Sequence, residues 1–364
     1  MSTDSPAPAG GVLSRLWTGS PLLRRLTKLF SGALAVIGVV SAIIGYATSG
    51  TNFFVRVDDY LRGRSETRSL IAAADERLQY SDYEEAWRAN TKARQLSPRS
   101  EEAAAQQARI AMKWLEDVRL SSAAGPQKFS QIVDPLKTAL VERLAETHGR
   151  ERADIRAHIG WANFLRRHEG FTDARIAEEF DEALREDPAN MYGHVMRGFW
   201  TLWEGRPVDE ARTDLEIALR SDVDPEFADR MVMAALTSRT TDEFIAGAIE
   251  FANRIRAAGR NIGDHDKGQI LWYYYISLDS SAILNAIAKA ASPQDQILTL
   301  AWLKQANTSV LDKRVAIYFT AYFHEVQSET EEASRLYDEV VQTSQGNGDR
   351  LAGFARARVT KMKR

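Results

Sequence analysis

The chain has no cysteine, which excludes disulfides, thiolate metal sites and cysteine nucleophiles on either side of a membrane. Its fold must hold by packing alone. Neither sign of charge dominates: 47 basic and 50 acidic residues give a net charge of -3, so there is no global basic field to attract nucleic acid. No Gly-rich phosphate loop, no Gly-x-Ser-x-Gly elbow and no Ser/His/Asp arrangement stands out. Neither catalysis nor a bound cofactor is expected. Convincing runs of alternating strand residues are also missing, which leaves helices.

At 364 residues the chain is large for one compact core, so a repeat array or several units are expected. The first 29 residues open with MSTDSPAPAGGV, a composition that reads as a disordered tail, and end in a basic flank. From Phe30 to Ala47 no charge occurs and every helical face is apolar or small, unlike the polar stripe of a surface helix. About 18 residues at roughly 1.5 Å each cover about 27 Å, and residues 30–50 are expected to form one transmembrane helix. A cleaved signal peptide is the alternative, with Gly45 and Ala47 as small residues before a cut. Small residues Gly32, Ala35, Gly38 and Ala42 recur at three- and four-residue steps, a spacing that would let two such spans approach in a homo-oligomer. Arg15, Arg24, Arg25 and Lys28 precede the span on a short tail, whereas Arg56, Arg62 and Arg64 follow it among acids. The positive-inside bias then places the N-terminus in the cytosol and the remainder outside it, in a single-pass protein of the cell membrane. Residues 51–66 read as a linker or a helical extension.

Beyond the linker, helices are broken by Gly, Pro, Asp and Ser, and an internal period emerges. Thr67 to Ser100 is the clearest unit: a first helix around Leu70, Ala73 and Ala74, a turn at Ser81-Asp82, and a second helix carrying Ala86 and Ala93 that ends before Pro98. Further copies place Phe180, Ala183 and Pro188, then Ala211, Leu215 and Ala218, then Ala333 and Tyr337 at matching intervals. This spacing resembles the tetratricopeptide repeat family, although Asn90 stands where that family prefers a large aromatic. The resemblance implies an all-α superhelix of helical hairpins over residues 67–349. Between the units, residues 101–149 carry an enlarged turn at Ser121 to Pro126, and residues 225–312 read as about five helices with breaks near Thr240, Gly259 to Gly263, Ser280 and Pro293. Residues 350–364 have six bases and an apolar face of Leu351, Phe354, Ala355 and Val359, which reads as a capping helix.

In the family that the chain resembles, the first helix of each pair lines a concave surface that binds a protein or peptide partner. Helical spacing from the second-helix anchors puts Arg68, Ile71, Asp75, Phe164, Arg167, Met196, Trp200, Trp203, Tyr318 and Tyr322 on that surface. Trp, Tyr and Arg dominate interface energetics, and the expected function is that of a membrane-anchored scaffold or adaptor. The run Trp272-Tyr273-Tyr274-Tyr275 must point several ways on a helix and reads mainly as packing. His148, His158 and His168 lack a ligand pattern, and Asp264 of Asp264-His265-Asp266 is explained as a helix cap. A metal-dependent hydrolase built on Asp264, His265 and Asp266, or a purely structural membrane oligomer, are the alternatives.

Overall fold

A computed structural model describes residues 63–118, 126–167, 173–344, 346 and 348–364. The expected transmembrane segment at 30–50, the tail before it, most of the linker and residues 119–125 of the enlarged turn lie outside the described residues. Among those described, no helix is long and apolar enough to cross a membrane.

Sixteen helices follow one another, with no strand among the described residues. They are α1 (63–79), α2 (Tyr83–Leu96), α3 (Glu101–Asp117), α4 (Pro126–Leu144), α5 (Gly149–Leu165), α6 (Asp173–Glu186), α7 (Met191–Trp203) and α8 (Val208–Arg220). Then come α9 (Pro225–Leu236), α10 (Asp242–Ala257), α11 (Asp264–Ser277), α12 (Ser281–Ala290), α13 (Pro293–Leu303), α14 (Val310–Val326), α15 (Thr330–Gln342) and α16 (Arg350–Met362). Local chemistry starts many of them. Ser100, Asn190, Asp224, Ser280, Ser292 and Asp349 each accept a bond from a backbone N–H of the first turn, and Ser309 with Asp312 forms a reciprocal capping box. Hairpin turns repeat as well. Ser81, Gly205 and Ser328 adopt left-handed φ values of 57°, 85° and 64° just before α2, α8 and α15. In each turn the next residue's N–H reaches back to the helix it leaves: Asp82 to Arg77 O, Arg206 to Thr201 O and Glu329 to His324 O.

Hairpins α5–α6, α7–α8 and α14–α15 pack tightly, and the first helices stack in turn, α3 on α5, α5 on α7 and α7 on α9. Alanines permit this. Ala86, Ala93, Ala183, Ala211, Ala218 and Ala333 are fully buried, so the second helices lie close to their neighbours. Two glycines that the repeat pattern did not single out matter equally. A Cβ at Gly160 would stand 2.7 Å from the ring of Phe180, and one at Gly198 2.7 Å from Leu215 Cδ2.

One continuous apolar core runs from α3 to α16, whereas α1 and α2 attach through two small clusters around Ile71–Ala93–Ala103 and Ala74–Ala86–Ile110. Asn90 explains the difference. Its buried amide donates to Ala103 O at 2.9 Å and Gln106 Oε1 at 2.8 Å, and Gln106 donates on to Ile71 O at 2.7 Å, so a polar ladder replaces an aromatic plug.

Residues 225–312 do contain five helices, and they alter the array. The second arm after α11 is split into α12 and α13 because Ala291 is extended, Ser292 caps the next helix and Pro293 begins it. α12 packs on α10, α13 on α14, and α11 on α14. α16 then closes the end against α14 and α15, burying Leu351, Ala352, Ala355 and Val359.

Candidate functional site

The stacked first helices present a groove of about 1140 Å³ bounded by the C-terminal end of α3, by α5, α7 and α9, by the α10–α11 loop and by the start of α11. It opens where close stacking lapses, since α11 meets α10, α12, α13 and α14 rather than lying along α9. Its floor is aromatic. Trp161 donates its indole N–H to Leu115 O at 3.1 Å, and its ring meets Phe199 edge-on at 5.3 Å. Phe199 stacks on Trp203 at 6.3 Å, and Trp203 remains 38% exposed at the rim. The Arg167 guanidinium carbon sits 4.0 Å from the Trp203 ring centroid and 4.5 Å from that of Phe164, which fixes the indole from behind.

Five carboxylates, Glu116, Asp117, Glu226, Asp229 and Asp266, line the groove against two guanidinium groups, Arg230 and Arg260. Arg230 ties α9 to the end of α3 by donating to Asp117 Oδ1 at 3.2 Å and Glu116 O at 3.1 Å. Glu116 belongs to a buried cluster: Lys113 reaches it at 2.9 Å, His158 Nε2 lies 3.1 Å away, and Lys113 also pairs with Asp224. Burial opposes the charge on Lys113, yet Glu116 and Asp224 outweigh it and hold the ammonium well above its ordinary pKa. Desolvation likewise pushes the Tyr192 hydroxyl up, so it stays a neutral donor, here 3.5 Å from Asp224. This cluster fastens α3, α5, α7 and α9 to one another. Asp224 itself has φ 42°, a left-handed conformation that aspartate tolerates better than most side chains, while it caps α9.

Asp229 is the outlier. Its side chain is 3% exposed and Arg260 Nη1 lies 3.1 Å from Oδ1, yet that oxygen accepts no hydrogen bond. Desolvation pushes its carboxyl up to about 6, with Arg260 acting in the opposite direction. Burial raises Asp266 as well, countered by His265. Asp214 on α8 goes the other way: burial would raise it, but hydrogen bonds from His194 at 2.7 Å and from Arg197 at 2.7 and 2.8 Å hold it below the ordinary carboxylate range.

Of the ten side chains that the repeat spacing assigned to the concave wall, Trp203 alone lines this groove. Ile71, Phe164, Met196, Trp200 and Tyr318 are buried in the packing between helices, a correction to their assignment as surface contacts. The physical reason is that each first helix is covered on two sides, by its own partner and by the adjacent first helix, which leaves a narrow exposed strip. Arg167 backs Trp203 instead of facing the groove, Tyr322 lies half-buried beneath Arg358, and Asp75 pairs with Arg109 at 3.1 Å. Arg68 is exposed and, with Ile71, borders a separate polar hollow at the α2–α3 turn. Asp264 is not a cap: Gly263 holds that position, and Asp264 and Asp266 sit in the first turn of α11, where the helix dipole favours carboxylates. Among the described residues no three His, Asp or Glu side chains are grouped to hold a metal, and His158 is spent in the Lys113–Glu116 cluster. In the aromatic run, Tyr273 and Tyr274 are fully buried and Trp272 is exposed. Met231 and the acidic wall on α9 escaped the sequence because α9 matches little of the repeat pattern, and Trp161 on α5 and Phe199 on α7 fall outside the positions that the spacing from the second-helix anchors selected. The available signal was Asp229-Arg230, a charged pair interrupting the apolar helix PEFADRMVMAAL.

No protein-family profile matches the chain, and no curated protein matches it. Among solved structures it is similar to a crystallised tetratricopeptide repeat protein from Parabacteroides merdae ATCC 43184, at 11% identity and a TM-score of 0.38, over 82% of this chain and 100% of that one. At that score the likeness carries no functional information. What the chain's own helices define is an all-α hairpin repeat array, a class of fold suited to protein interaction.

Proposed function

We propose that this protein is a membrane-anchored scaffold that captures a segment of a partner protein in the groove between α5, α7 and α9. The observation that carries the reading is the exposed Trp203, held rigidly by Phe199 and Arg167 at the rim of an aromatic floor. Rigid aromatic anchors in a partly enclosed pocket concentrate binding energy. The apolar run at 30–50 supports the anchor, and tethering raises the effective concentration of groove and partner at one bilayer. In this reading the tail is cytosolic and the repeat array extracytoplasmic, where it serves envelope assembly or secretion, with oligomerisation through the span as an added element.

A photo-crosslinker placed at Ala234, an exposed groove residue, should capture a discrete protein in native membranes. Trp203→Ala should abolish that capture and leave the melting transition in place, since an anchor of this kind contributes at least about 2 kcal/mol, or roughly thirtyfold in affinity. Phe164→Ala should instead cost about 3–5 kcal/mol of stability, as expected for a fully buried ring. Capture that is indifferent to Trp203→Ala would refute the groove as the binding site.

A further inference from the structure

We infer that the groove's occupant is a cationic segment of a partner protein, one that carries arginine or lysine beside an aromatic or apolar residue. The inference rests on the groove being the binding site and adds the chemistry of what enters it. Charge complementarity is the ground. Three of the five lining carboxylates are already ion-paired within the chain, Glu116 with Lys113, Asp117 with Arg230 and Asp229 with Arg260. The other two are not. Glu226 and Asp266 form no ion pair with a described residue, and Asp229 is buried beside Arg260 with its Oδ1 accepting no hydrogen bond. A buried carboxylate oxygen that accepts no hydrogen bond is costly to keep even beside a cation, and a donor arriving with a ligand lowers that cost.

Asp229 does not stand in a merely acidic patch. It lies in the groove lining together with Phe199, Trp203 and Met231. A neighbouring apolar residue of the ligand would cover Trp203, while its ammonium or guanidinium group added a donor to Asp229 beside Arg260, with Glu226 as the exposed outer contact. A glutamate or aspartate in the same place would face the unpaired carboxylates of Glu226 and Asp266.

The test is selection from a display library of random dodecapeptides on the full-length protein in mild detergent near neutral pH, followed by affinities for the selected peptides. Enrichment of arginine or lysine next to an aromatic or apolar residue is expected. Asp229→Asn should weaken the selected peptides about tenfold or more and flatten their salt dependence, and Trp203→Ala should weaken them whatever their charge. If Asp229→Asn lowers the melting midpoint, Glu226→Gln at its exposed position supplies the same charge test, with a loss of about threefold. Selected peptides that are neutral or acidic, yet lose affinity with Trp203→Ala, would overturn the cationic assignment and leave the groove standing. If no peptide is enriched, or if binding ignores Trp203→Ala, both readings fail.

Discussion

Replacing Asp229 by asparagine separates a carboxylate kept for binding from one kept for stability. The carboxyl is raised from 3.8 to about 6 by burial. Between those values the folded chain keeps a proton that the unfolded chain has released, so Asp229 makes stability fall as pH rises through that window and leaves it level above about 6. A displacement of about two pH units corresponds to roughly 3 kcal/mol, and relaxation or water in the groove would bring the measured figure nearer 2. Asp229→Asn removes this contribution without altering shape, and the attraction to Arg260, which acts only on the ionised carboxylate, is already contained in the raised value of about 6. Urea unfolding followed by far-UV circular dichroism should therefore show the variant gaining about 2–3 kcal/mol on the wild type between pH 4 and pH 7. Asp214→Asn is the internal control with the opposite sign. The folded pKa of Asp214 is depressed, so its contribution is present above about 4 and is lost as pH falls through the lowered value. A wild-type to Asp229→Asn difference that stays flat across pH 4–7 would refute the claim that this carboxylate is buried without adequate compensation.

Other substitutions probe the fold and the anchor. Gly160→Ala drives a Cβ to 2.7 Å from the Phe180 ring, and overpacking of about 1–3 kcal/mol should exceed the helix-propensity gain of about 1 kcal/mol. Gly353→Ala on α16 meets nothing within 4 Å and should stabilise by up to about 1 kcal/mol, so thermal midpoints that move alike in the two variants would contradict the packing. Asn90→Ala leaves Gln106 Oε1 without its donor and should cost about 1–3 kcal/mol, while Asn90→Leu combined with Gln106→Leu should recover most of the loss in the same denaturation assay. Arginines at Val36 and Val40 should release the protein from membranes, at about 2.5–3.5 kcal/mol per charge near mid-bilayer, and undiminished resistance to alkaline extraction would count against the anchor.

The sequence by itself determined the helices and much of their order, because periodicity, caps and turn residues act within a few positions along the chain. Ser81-Asp82, Pro98 and Pro293 break helices where the chain cannot continue them, and fully buried Ala86, Ala93, Ala211 and Ala218 sit where a recurring small residue implied a close crossing. The five helices between 225 and 312 were countable for the same reason. How they stack was not, since the split into α12 and α13 and the parting of α9 from α11 depend on surfaces far apart in sequence. The same holds for the site. An aromatic residue on a first helix looks alike whether it faces a groove or a neighbour, and tertiary packing alone put Phe164, Trp200 and Tyr318 inside while leaving Trp203 at the rim. Asp229 shows the limit most clearly: its identity is written in the sequence, but the desolvation that sets its charge comes from helices α9 and α10 and the loop carrying Arg260, which meet only when the chain folds.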